Sequence, residues 1–293
     1  MQEEPNNYNE FPFPHTVFGF VATISVIILY FIGGSYLTFA LAPAGNIETN
    51  PTAMRLAQTL AQVLFMLLPA FAVSRLSPIG TRALLRADSP SIQLKHWIVV
   101  LLAIPLVQMF AYGWESFQSV VAPPQLAQWL AEQEQSTQQT YITLLGGSGA
   151  GDFLTALAVG ALIPAIAEEV LFRGVMQRSV EQHSGVPVAI VHTAMLFTFI
   201  HFNPAQSIPL LALAVLLSVV AASSRSLIPG TIIHFLNNAL AVSSIHIAQV
   251  QSLDTAGNNL PLPVAILLLL LSGASIVACA WWLLQKPKPR IIV

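Results

Sequence analysis

The sequence predicts an all-α, polytopic membrane protein with about eight transmembrane helices and both termini in the cytoplasm. Three observations lead there. Charged residues make up only 8% of the 293 residues and hydrophobic ones 55%, whereas soluble domains carry about 25% charged residues. Eight apolar segments approach or exceed the ~20 residues that cross a bilayer as a helix. The Lys and Arg residues also recur in alternate connections, as the positive-inside rule requires.

The expected spans are residues 16–42, 54–74, 95–117, 152–176, 186–202, 207–223, 227–249 and 263–284. The first is too long for a signal h-region, its preceding tail has Glu3, Glu4 and Glu10 but no Lys or Arg, and Pro43 follows the cleavage-like Ala40-Leu41-Ala42. It is therefore expected to stay as a span. Arg75, Arg82, Arg86 and Lys95 surround the second connection. The polar connection 123–151 contains Leu126, Trp129 and Leu130 at helical spacing, which predicts a short interfacial helix. The glycines of 146–151 lack the lysine and preceding strand of a phosphate loop and read as a flexible approach to span four. Spans five and six are short, and Phe202-Asn203-Pro204-Ala205 between them predicts a bend. With eight spans and an internal N-terminus, ten of the eleven Lys and Arg residues face the cytoplasm, Arg55 being the exception. The opposite connections hold Glu48, Glu132, Glu134 and Asp254. Trp97, Trp281 and Trp282 lie at cytoplasmic ends, where interfacial anchors belong.

These features set the partners. The bilayer is the solvent. No basic patch with interleaved aromatics is present, so nucleic acid is excluded as a partner. Cys279 is the single cysteine, so there is no intrachain disulfide. Compact loops and a short tail point to a prokaryotic inner membrane. Residues 1–293 read as a single transmembrane domain, with a catalytic core at 152–245.

That core is marked by Glu168, Glu169 and Arg173 inside an apolar run. Burying ionisable groups there costs about 2.5–3.5 kcal/mol each before partners are counted. Glu169 and Arg173, four apart, share a helix face and can pair; Glu168 points about 100° away. Which residues can meet Glu168 follows from a hairpin. Glu168 lies sixteen positions before Ser184, and His201 sixteen after Gly185. Two helices joined at that turn bring both side chains to one depth, roughly 24 Å from it. His234 and Asn238 lie about 12 and 18 Å from the turn that ends at Ser226, and their spacing of four directs both the same way. Phe197, four before His201, can wall the site.

A carboxylate beside an imidazole can bind and deprotonate water. A second imidazole and an amide can donate to an oxyanion formed from a peptide carbonyl. No serine or cysteine is placed as a nucleophile, so direct attack by water is favoured.

The three patterns Glu168-Glu169-x-x-x-Arg173, Phe197-x-x-x-His201 and His234-x-x-x-Asn238, in this order on late spans, resemble the motifs of the CAAX protease and bacteriocin-processing enzyme family. This CPBP or Abi family includes the Rce1-type prenyl-protein endopeptidases. The resemblance covers about residues 152–245. It implies an intramembrane, glutamate-type endopeptidase without a metal, acting on a peptide or protein substrate that is lipidated or membrane-associated. It assigns water activation to Glu168 and His201, oxyanion stabilisation to His234 and Asn238, and support to Glu169 and Arg173.

Other readings compete. Zinc held by Glu168, His201 and His234 is the less favoured chemistry, since no H-E-x-x-H spacing is present. A non-enzymatic scaffold or bacteriocin-immunity-type protein could use the same fold. A proton-coupled transporter would also place Glu and His in the membrane, but no internal repeat accompanies them. His192 reads as structural, His15, His96, His183 and His246 as interfacial, and Gln58, Gln62 and Gln108 as helix-packing residues.

Overall fold

The computed structural model describes residues 15–41, 50–88, 90–251 and 260–285. Nine helices carry the architecture of these residues: α1 His15–Leu41, α2 Pro51–Arg75, α3 Leu94–Val121, α4 Pro124–Leu145, α5 Ala150–Ser184, α6 Val186–Phe199, α7 Ser207–Ser224, α8 Ile228–Gln251 and α9 Leu262–Leu284. A single helical turn, Thr81–Leu84, lies between α2 and α3. There is no strand among the described residues. The protein is an all-α polytopic membrane protein.

Local chemistry sets the helix limits. Asn50 accepts from the Ala53 amide at 3.0 Å and Pro51 opens α2, the preferred N-terminal pairing of a cap and a residue without N–H. Gln93 and His96 close a reciprocal capping box on α3. Gly185, at φ +80°, separates α5 from α6 in a conformation that favours glycine. Arg225 ends α7 in the left-handed region. Prolines shape the helices they interrupt. In α2 and α5, Pro69 and Pro164 each follow a π-helical stretch, Ala61–Leu67 and Ala158–Leu162. A missing proline N–H favours such a shift from i→i+4 pairing.

Hydrogen bonds sort the helix ends into two groups. At one end, Thr16 meets the Ser184 hydroxyl at 3.2 Å, and Arg86 donates to Glu181 at 2.6 Å and to the Arg173 carbonyl at 3.2 Å. There too the Ser91 amide donates to Ser224, and Lys95 to the Leu283 carbonyl at 3.0 Å. Burial pushes the Arg86 guanidinium below the ordinary arginine value, and the Glu181 carboxylate opposes that shift. At the other end, Trp114 donates to the Ala205 carbonyl at 2.9 Å, and Asn203 reaches Glu134 at 3.4 Å. The chain thus passes eight times between the two ends.

Seven of these passages are long and apolar enough to cross a membrane. The eighth, α6, has 14 residues and a length of about 21 Å, short of the ~30 Å hydrocarbon core. It stops at Phe199 rather than continuing to 202. Phe202 sits at φ +48° before the Asn203-Pro204 pair, and Asn203 accepts from the Gln206 amide at 3.1 Å. A residue shortly before proline is steered away from helix. Span four extends past its expected end, because nothing interrupts α5 before Gly185.

Two loop readings also change. The predicted short interfacial helix is α4, of 22 residues, with Leu126 and Trp129 exposed and Leu130 buried. The glycine segment after it is pinned. The Arg55 guanidinium donates to the carbonyls of Leu144 and Gly146 and to Asp152. Arg55 therefore satisfies carbonyls that the end of α4 leaves open, which accounts for a cation at this end of the bundle.

The outer surface is apolar. Ile32, Phe39, Leu101, Leu270 and Val277 are all exposed, while Glu168, Glu169 and Arg173 are buried. This pattern suits a lipid-facing belt around a polar interior.

Candidate active site

Glu168 and Glu169 lie where α5 passes into a third π-helical stretch, Glu169–Met176. Such wide turns often occur at functional sites. Arg173 is fully buried and sits in the same stretch. Its guanidinium donates to Glu169 Oε1 at 2.8 Å and to the Ala214 carbonyl at 3.2 Å, and lies 4.4 Å from the centroid of the Phe197 ring. One carboxylate, one carbonyl and one aromatic face thus share the buried charge.

Glu169 Oε1 also accepts from His234 Nδ1 at 3.1 Å. This fixes the imidazole so that Nε2 points at Glu168, 3.7 Å from Oε2. His201 arrives at the same atom from the other side. Its Nδ1–H donates to the Phe197 carbonyl at 2.7 Å, and its Nε2 lies 3.9 Å from Glu168 Oε2. Both imidazoles therefore have Nδ1 engaged and Nε2 turned towards one carboxylate oxygen, which has no direct hydrogen bond of its own. Gaps of this length between polar atoms suit a bridging water. The hairpin inference from Ser184 and Gly185 agrees with the observed meeting of Glu168 and His201, although α6 ends just before the histidine.

Phe197 is the hub of the packing. Its ring contacts Phe172, His201 and His234 at centroid distances of 5.1, 4.6 and 5.8 Å. Asn238 is half-buried and lines the same cavity as Glu168, His201 and His234. A relay sets its amide: Gln108 donates to Asn237 Oδ1 at 3.1 Å, and Asn237 Nδ2 donates to Asn238 Oδ1 at 3.3 Å. The Asn238 oxygen is engaged, so its Nδ2 is the group left to donate.

The cavity measures about 480 Å³. Polar residues outside the three motifs also line it, among them Tyr30, Gln58, Gln62, Gln108, Glu134 and Tyr141. Gln58 pairs with Tyr30 at 3.2 Å, and the Gln62 oxygen is buried without a partner. Burial pushes the Tyr141 phenol above its ordinary value, and the charges of Glu168 and Glu134 add to this, so it remains a hydrogen-bond donor. The glutamines were visible as polar residues in apolar spans, but spacing alone reads them as packing groups. The cavity shows where they face. Glu134 and Tyr141 had no signal, since α4 reads as an ordinary amphipathic helix.

Of the histidines set aside, His192 bonds the Val188 carbonyl at 2.8 Å on its own helix. His96 is fully buried and capping α3, not interfacial. His246 packs on Phe153 at 5.0 Å. His15 has no described side chain. No group of three or more His, Cys, Asp and Glu residues among the described residues is arranged to hold a metal ion.

The fold and site together define a class: a polytopic helical membrane protein with a carboxylate–imidazole cluster lining an internal cavity. Residues 150–240 match the family model for type II CAAX prenyl endopeptidases, Rce1-like. The match spans α5 to the first half of α8 and includes all seven motif residues. It supports a CPBP, Rce1-type assignment and, at family level, a CAAX-protease-type intramembrane endopeptidase acting on a membrane-associated peptide. No curated protein and no solved structure matches the chain.

Proposed function

We propose that the protein hydrolyses a peptide bond with a water activated by Glu168 and His201. The observation that carries this reading is the convergence of the two imidazole Nε2 atoms on Glu168 Oε2, at 3.7 and 3.9 Å. A water between Glu168 and His201 donates to both. As it attacks the carbonyl carbon, a new C–O bond forms and one proton passes to the Glu168–His201 pair. The carbonyl electrons move onto oxygen, and Asn238 Nδ2 donates to the oxyanion. His234 engages its Nδ1–H with Glu169, so it can donate from Nε2 only as an imidazolium. Collapse of the intermediate breaks the C–N bond, and the stored proton leaves with the amine. Glu169 and Arg173 hold His234 and the helix in place without touching substrate.

The test is cleavage of lipidated and unlipidated peptides by the purified protein reconstituted in liposomes. The proposal expects products of a single hydrolysed bond, with rates unchanged by strong chelators. Loss of cleavage on chelation, restored by zinc, would replace this chemistry with a metal-bound water held by Glu168, His201 and His234. Absence of cleavage with every peptide class would favour the scaffold reading.

A further inference from the structure

The side of the membrane from which the cavity opens follows from two independent observations. The first is the position of the cavity in the bundle. Its lining comes mainly from one half. On α2 it takes Gln58, Gln62 and Met66, the first two in the half that begins at Pro51, and on α6 only Phe197, with Ile200 just past the helix end. On α8 the lining begins at His234, in the first half of the helix, where the cavity is deepest in the bundle, and runs to Ile245 towards the far end. Glu134 of α4 and Asn203 of the α6–α7 connection also line it, at the end away from Arg86 and Lys95, and touch each other at 3.4 Å. Nothing from the end that holds Arg86, Lys95, Ser184 and Ser224 contributes.

The second is charge. Arg75, Arg82, Arg86, Lys95, Arg178 and Arg225 all lie at that other end, and Lys286, Lys288 and Arg290 directly follow Gln285 there in the sequence. At the cavity end Arg55 is the one cation among the described residues, and it is paired with Asp152. The segments 42–49 and 252–259 add no Lys or Arg. Short connections rich in Lys and Arg stay in the cytoplasm. The basic end is therefore cytoplasmic, and the cavity opens away from it.

We propose that the active-site cavity receives its peptide from the extracytoplasmic side, so that the substrate is an exported peptide or an outward-facing segment of a membrane protein. A lipidated C-terminus presented from the cytoplasm would meet the basic end, whose residues do not line the cavity. This inference rests on the proteolytic reading for the word substrate, but its geometry does not.

The experiment uses the full chain carrying Cys279→Ser, with one cysteine added at a time: Glu132→Cys on exposed α4, Gln58→Cys inside the cavity, or Arg82→Cys at the basic end. Spheroplasts are treated with a small, membrane-impermeant thiol reagent before and after permeabilisation. Glu132→Cys and Gln58→Cys are expected to react fully in intact spheroplasts, and Arg82→Cys only after permeabilisation. Reaction of Arg82→Cys in intact spheroplasts overturns the proposal. So does failure of either of the other two to react until the membrane is opened, or at all. Labelling needs no turnover, so a protein that labels as expected but cleaves no peptide counts against the proteolytic reading and not against this orientation.

Discussion

Removing one partner of the Glu169–Arg173 pair should damage the protein far more than removing both. The side chains are 1% and 0% exposed and meet at 2.8 Å. Glu169→Gln leaves the Arg173 cation with neutral partners alone in direct contact: the glutamine oxygen, the Ala214 carbonyl and the Phe197 ring. Arg173→Met leaves the Glu169 carboxylate with only His234 Nδ1. Breaking a buried pair from one side costs about 3–5 kcal/mol, whereas replacing both partners is often close to neutral. Additive behaviour would give about 6–10 kcal/mol for the double variant, from the same single-variant range. The structure instead predicts a double variant about as stable as either single one, or more so. Chemical unfolding of the four proteins in detergent micelles, followed by tryptophan fluorescence, measures the cycle. Cleavage should stay impaired in the double variant, because His234 no longer donates to a carboxylate. Strict additivity of the two losses would refute the shared buried charge.

The remaining predictions concern smaller features. Asn238→Ala should lower kcat by about 10²–10³, as loss of one oxyanion donor does, with little change in unfolding midpoint; steady-state kinetics read it. Gln108→Leu should act in the same direction but more weakly, since it removes only the orienting end of the relay through Asn237, and a kcat equal to wild type would contradict the relay. Arg55→Ala should destabilise the α4–α5 connection by about 1–3 kcal/mol, the cost of leaving buried acceptors unpaired. Hydrogen exchange at residues 144–152 should rise, and unchanged protection there would contradict the role of Arg55.

Most of the fold was legible in the sequence because lipid permits few solutions. Apolar length and Lys/Arg alternation marked each apolar helix, and Gly185 and Pro204 marked the turns. The boundaries that escaped depend on local backbone states. Phe202 in the left-handed region shortens α6, and π-helical pairing around Pro69 and Pro164 changes helix pitch without altering the hydrophobic pattern. In the site, Glu168, His201, His234 and Asn238 stood out because polar groups are costly in lipid. Their partners were harder to read. His234 meets Glu169 as well as Glu168, so the two adjacent carboxylates share an imidazole although helical spacing turns them apart. The Gln108–Asn237–Asn238 relay joins α3 to α8, and nothing in either segment alone points to the other.

Glu168 is proposed to supply the base for water. That role is tested most directly by comparing the cleavage rates of wild type and Glu168→Gln, reconstituted in the same liposomes, with equal unfolding midpoints as the control for folding. Glu168→Gln should lose about 10²–10⁴ in kcat, the usual worth of a positioned acid–base group. Equal rates in the two proteins would contradict it.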